Sequence, residues 1–230
     1  MASTSASSSA RPRLFILGAT GATGRALVDQ ALERGHRLTA FVRSPQKLVG
    51  PRAALTVVQG DPRSVDALRA ALPGHDAVLS MLGPPGPGPT TIVADCARST
   101  VIAMGDAGVS RLLIVGVGAL FEQGPLTALI RGTFLRNVAK DAAEMERVVT
   151  TSGLDWTIVR VPRLTNGPLT GRYRAEDERM PRDNRSPAMA SLSRADAARF
   201  LLSEVEHRAH VRRIVGIASV KGPPTARVVD

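Results

Sequence analysis

Cysteine occurs once, at Cys96, so the chain cannot close an internal disulfide. Aromatics are nearly as scarce: five Phe, one Trp and one Tyr in 230 residues. No apolar run reaches 18 residues, which excludes a helix that spans a membrane. Residues 1–10 are mostly Ser and Ala. They lack the basic and apolar regions of a secretory signal, so they read as a loose tail, and the cytoplasm is the expected location. Lysine appears only at Lys47, Lys140 and Lys221. The net charge of +10 is therefore carried by arginines, and these are scattered. Without a basic run, interleaved aromatics or a recognisable motif, nucleic acid is not the expected partner. The charge reads as solvated surface with an attraction for small anions. The length allows one α/β core with a small addition.

What is present is a dense organising stretch near the start. Leu14, Phe15, Ile16 and Leu17 form a continuous apolar run, as in a strand buried on both faces. Gly18, Gly21 and Gly24 follow at intervals of three, and Ala26, Leu27, Ala31 and Leu32 then recur at helical spacing. A strand, a glycine turn and a helix in this order make a phosphate cradle. The glycines permit the turn and the close approach of backbone to a pyrophosphate, and the helix N-terminus faces the charge. Thr20 and Thr23 add hydroxyl donors, and Ala22 lies between them. The spacing is G-x-x-G-x-x-G, a relative of the dinucleotide fingerprint and not a copy of it.

The second strand, 38–42, ends at Arg43, where an acidic residue would select NAD and a basic one NADP. Arg43, Ser44 and Lys47 therefore predict a pocket for a 2′-phosphate. Asp61 follows the third strand, 55–59. It can reach an adenine amino group, cap the helix over 64–72, or do both. A fourth strand over 77–83 runs into a Pro/Gly-rich loop at 84–89, the rim of a ligand site. Further expectations are a long helix over 90–107, a strand over 111–116, an irregular insert over 122–137 and a helix over 140–151. After these come a strand over 154–160, a turn-rich loop over 162–174, a helix capped by Ser193 and Asp196, and a last strand over 213–218. This alternation predicts a Rossmann-like, doubly wound parallel α/β sheet in one domain, 12–220, between tails 1–11 and 221–230. Cys96 and Trp156 read as packed residues.

The combination of GATGATGR, FVRSPQKL, QGD and SGLDWTIVRVPRLTNGPLTGRYR resembles the atypical short-chain dehydrogenase/reductases. Within them it is similar to the NAD(P)H-binding group that holds NmrA-like proteins and flavin reductases of the biliverdin reductase B type. The resemblance covers about 12–218. It implies NADP(H) as cofactor and a hydride acceptor above the nicotinamide. It also implies a phosphate loop of Gly18, Thr20, Gly21, Thr23 and Gly24, a 2′-phosphate pocket of Arg43, Ser44 and Lys47, and Asp61 at the adenine edge. Leu82 and Gly83 would flank the ribose and pyrophosphate, and Pro162, Arg163 and Leu164 would lie beside the nicotinamide.

The departures bear on chemistry. Arg136 stands where the superfamily's tyrosine would be, although Lys140 and Glu144 keep the following register. The serine expected after the fifth strand is missing from Gly116-Val-Gly-Ala-Leu. No catalytic residue is assigned; Lys140 and Tyr173 are the remaining candidates. A flavin-like, quinone-like or other conjugated acceptor removes the need for a dedicated acid, because water can supply the proton. The expected activity is hydride transfer from NADPH to a small molecule of this kind. The alternatives are a non-catalytic NADP sensor and a redox-neutral isomerase, epimerase or cyclase. Phe121, Arg163, Tyr173 and Arg174 are the expected substrate contacts. Monomer and dimer are equally compatible with the sequence.

Overall fold

The computed structural model describes residues 11–48, 50, 52–84, 86, 88–120, 136–181 and 190–220. Residues 1–10 and 221–230, Phe121 and nearly all of the expected insert at 122–137 lie outside the described residues.

Strand β1 (Arg13–Leu17) is the centre of the molecule, and the side chains of Leu14 to Leu17 are wholly buried. It pairs in parallel with β2 (Arg37–Val42) on one side and β4 (Ala77–Ser80) on the other. Beyond β2 lies β3 (Leu55–Gln59). Beyond β4 lie β5 (Arg111–Val117), β6 (Asp155–Val161) and β10 (Arg213–Ser219), all parallel. An outermost strand, β8 (Tyr173–Asp177), runs antiparallel to β10. The order β3-β2-β1-β4-β5-β6-β10-β8 reverses direction between β1 and β4. A crevice at the carboxyl ends of the strands opens at that reversal.

Two helical layers cover the sheet. Helices α1 (Ala22–Glu33) and α5 (Arg194–His207) pack on one face. Helices α2 (Val65–Ala71), α3 (Ile92–Ala107) and α4 (Arg136–Thr150) pack on the other. Successive side chains of the central strands enter one layer and then the other, so these strands are buried on both faces as a parallel sheet requires. Cys96 and Trp156 are packed residues, as read from the sequence. Among the described residues no helix is long and apolar enough to cross a membrane.

The fold differs from the sequence reading in three places. The fourth strand ends at Ser80, so Leu82 and Gly83 belong to the loop. Helix α4 is already formed at Arg136, one turn before the expected start at 140. The loop at 162–174 contains β7 (Arg163–Thr165) and the first residues of β8. Strand β7 pairs in parallel with β9 (Ser191–Ser193), which leads into α5. Asn166, Gly167, Pro168 and Gly171 signal turns in this stretch, and they hide short strands whose partners are far along the chain. The segment is tied down by Asp196, which is buried. Its carboxylate accepts the backbone N–H groups of Thr170 and Gly171 at 2.9 and 2.8 Å and the Thr170 hydroxyl at 2.8 Å. Ser193 caps α5 by accepting the Asp196 N–H at 2.9 Å.

Candidate functional site

The three glycines sit at the crevice, and two of them have no room for a side chain. A Cβ on Gly24 would lie 2.1 Å from the Gly18 carbonyl oxygen. Gly18 adopts φ +81°, and a Cβ there would meet the Met81 backbone at 2.8 Å, so the turn is pressed against the chain leaving β4. The Gly21 N–H closes the turn by donating to the Gly18 carbonyl at 3.0 Å. Gly21 is the N-cap of α1, and no side chain caps the helix. The first turn also holds no acidic residue. Orphan N–H groups and a positive dipole end therefore face a cradle kept empty of side chains, which fits a pyrophosphate. Thr20 and Thr23 are half-buried beside it, and Ala22 is exposed.

The exits of β2 and β3 are drawn together next to this cradle. The Gly60 N–H donates to the Val42 carbonyl at 3.0 Å, and a Cβ on Gly60 would fall 2.2 Å from the Phe41 ring. Gln59 Nε2 donates to the Arg43 carbonyl at 3.4 Å. Arg43 and Lys47 are exposed and Ser44 is half-buried, with Pro45–Lys47 forming a single 3₁₀ turn. Asp61 follows. It does not cap α2; that role falls to Ser64, whose hydroxyl accepts the Ala67 N–H at 3.2 Å. The Asp61 carboxylate instead holds Arg63 side-on, with Nη2 at 2.7 Å and Nε at 3.2 Å. That guanidinium keeps the Asp61 carboxyl below the usual carboxylate range. The pairing of Asp61 with Arg63 was not visible as a motif.

The other half of the crevice lies at the ends of β5 and β6. Pro162, Arg163 and Leu164 leave β6 at this edge, with Arg163 exposed. No serine follows β5, and at Gly118 the backbone leaves no room for one. A Cβ on Gly118 would lie 2.8 Å from the Val161 carbonyl oxygen, and one on Gly116 would lie 3.1 Å from Glu146 Oε1. Behind Gly116, Arg160 donates to Glu146 through Nε at 2.9 Å and Nη2 at 2.6 Å, a nearly buried pair that the sequence reading did not anticipate.

The two catalytic candidates sit in contrasting surroundings. Lys140 is exposed on α4. The buried charge of that turn is its neighbour Asp141, which accepts the Val93 and Ala94 N–H groups at 3.1 and 2.9 Å and so caps α3. Tyr173, read as a substrate contact and proton-handling candidate, is a core residue of the outermost strand. It is 6 % exposed and stands edge-on to Phe200 at 6.0 Å, and burial raises its hydroxyl pKa above the ordinary value. Arg174 is half-buried on the same strand, 4.0 Å from Glu176. Glu144 is held down at about 2, first by Arg147 and then by Arg98, as part of a surface ion-pair chain. The lone thiol of Cys96 is pushed up to about 11 by burial, which makes it a poor nucleophile. The described residues contain no cluster of His, Cys, Asp and Glu fit to hold a metal ion.

With this geometry in place, the comparisons with known proteins are direct. The profile of an NAD(P)H-binding family matches residues 18–208. The chain belongs to this family. It is 26% identical over 208 residues to the uncharacterized protein YwnB of Bacillus subtilis (strain 168), covering 86% of this chain and 94% of that one. A candidate epimerase from Bacteroides thetaiotaomicron superposes with a TM-score of 0.78 at 26% identity, covering 93% of this chain and 99% of that one. A candidate NADH-flavin reductase from Streptococcus pneumoniae TIGR4 superposes with a TM-score of 0.74 at 24% identity, covering 90% and 99%. The chain therefore shares its Rossmann fold with candidate proteins of both kinds, an epimerase and a flavin reductase.

Proposed function

We propose that the chain is an NADPH-dependent reductase that delivers hydride to a flat conjugated acceptor of the flavin or quinone kind. One observation carries the reading: the adenosine half of the crevice is assembled, whereas the described residues of the other half offer no Ser-Tyr-Lys group. Gly118, directly after β5, has no room for a side chain, Lys140 is exposed and Tyr173 is packed in the core. A ketone needs a proton delivered to its oxygen as hydride arrives. An oxidised conjugated ring takes hydride from C4 of the nicotinamide and a proton from water, so stacking and orientation suffice. The glycine cradle and the open end of α1 hold the pyrophosphate, and Arg43 with Ser44 takes the 2′-phosphate. Pro162 to Leu164 form the wall beside the nicotinamide. The likeness to a candidate NADH-flavin reductase supports the hydride chemistry, and Arg43 favours the phosphorylated cofactor.

The test is NADPH oxidation followed by absorbance with FMN, with a simple quinone and without acceptor. Acceptor-dependent turnover is expected. Saturable NADPH binding with no oxidation by any of these would overturn the reductase and favour a sensor or a redox-neutral enzyme. Arg43→Glu is expected to weaken NADPH binding at least about tenfold and NADH binding less than about threefold. An equal loss of both would remove the NADP assignment.

A further inference from the structure

The carboxyl edge of the sheet holds a second arginine that the glycine-and-arginine pattern does not announce. Arg63 is fixed from three directions. Its backbone N–H donates to Asp61 Oδ1 at 3.0 Å, its guanidinium returns to the same carboxylate, and its carbonyl accepts the Ser99 hydroxyl of α3 at 2.8 Å. The side chain nevertheless remains 54% exposed. It is an arginine with its rotamer chosen and its outer edge open to solvent. Such a group loses little conformational freedom when it takes a ligand.

Its position is set by the strand exits. Gly60 locks the end of β3 against Phe41 and Val42 of β2, and the residue after Val42 is Arg43. Arg43 is exposed at that exit, and its carbonyl accepts Gln59 Nε2 of β3 at 3.4 Å, so the two arginines leave adjoining strand ends. Asp61 is also largely spent as an acceptor: Oδ1 receives the Arg63 N–H and Nε, and Oδ2 receives Nε and Nη2. It is poorly placed to take an adenine amino group as well.

We infer that Arg63 is a second specificity-determining residue, which contacts the 2′-phosphate of a phosphorylated adenosine together with Arg43, while Asp61 positions it and does not read the adenine. The inference rests on the NADPH reading above. Nη1 takes no part in the bond to Asp61 and can donate to a phosphate oxygen, and Arg43 stands at the end of the neighbouring strand β2. Two guanidinium groups on one dianion supply charge and direction together.

The experiment measures binding of 2′,5′-ADP and of 5′-AMP by calorimetry to the full chain and to Arg63→Gln, Arg63→Lys and Arg43→Gln, with melting curves to confirm folding. Arg63→Gln is expected to weaken 2′,5′-ADP about tenfold or more and 5′-AMP less than about threefold. Arg63→Lys is expected to fall between, because it keeps the charge and loses the fork. If Arg43→Gln abolishes the preference for 2′,5′-ADP and Arg63→Gln leaves it intact, the inference fails and the NADPH reading stands. Equal losses of both ligands in Arg63→Gln overturn it too, by making the residue a structural or adenine contact. If the unaltered chain binds both ligands alike, the NADPH reading itself fails and takes the inference with it.

Discussion

Two helices begin at the same edge of the sheet, and their N-termini are treated in opposite ways. Helix α1 starts on a bare glycine turn with no side-chain cap and no acidic residue. Helix α3 receives no bond from Thr91, but the Thr90 hydroxyl accepts its first N–H, of Ile92, at 3.2 Å, and Asp95 lies in its first turn. The next two N–H groups are answered by Asp141, reaching across from α4. Both ends carry the same orphan donors and the same positive dipole. One receives a permanent carboxylate from a neighbouring helix, and the other is left open, at the proposed phosphate site. The contrast teaches where an anion would be admitted: sheet topology offers two positive ends, and the protein's own acceptors, Asp141 above all, close one of them.

The largest test of this contrast is at the open end. Gly24→Ala places a Cβ 2.1 Å from the Gly18 carbonyl and forces the cradle apart. The expected cost is about 3 kcal/mol or more, with loss of NADPH binding; melting and calorimetry read both, and an unchanged affinity would show that the cradle is not the phosphate site. Next comes the closed end. Asp141→Ala leaves two buried N–H groups without partners and is expected to destabilise by about 2–4 kcal/mol in denaturant titration. NADPH affinity should stay within about threefold; a tenfold change would mean that the α3 terminus belongs to the cofactor site after all. The smallest effect serves as a control at the opposite, amino edge. His210 Nδ1 lies 2.7 Å from the buried Glu204 carboxylate, which raises the imidazole pKa. The stability from this pair is complete below the ordinary histidine value of about 6.5 and is lost as pH rises through the raised folded value. Melting temperature should therefore decline with pH through that window. His210→Gln should flatten the decline without altering NADPH affinity.

Much of the open end was legible in the sequence because its signals are local. An apolar run, three glycines and a helical stripe lie within about twenty residues, and Arg43 stands at the next strand end. The closed end was not legible, because Asp141 and the N–H groups it answers are 48 and 47 positions apart. The reading favoured Lys140 on register, whereas packing buries its neighbour. Tyr173 was attractive as the lone tyrosine beside a loop. Only the pairing of β8 with β10 shows that it faces Phe200. Strands β7 and β9 escaped for the same reason, being three residues long with partners nearly thirty positions apart. Asp61 was legible as important but not in its role, which depends on where the Arg63 side chain returns.

The glycines after β5 also bear on how the chain could be redesigned. A hydroxyl introduced at 118 must first displace the carbonyl of Val161, 2.8 Å from where its Cβ would stand, and the sulfur of Met180 at 3.2 Å. The route from this protein to a serine-assisted ketone reductase is thus not a single step. Directed evolution toward that chemistry will recover serine at 118 only alongside changes that retract the end of β6.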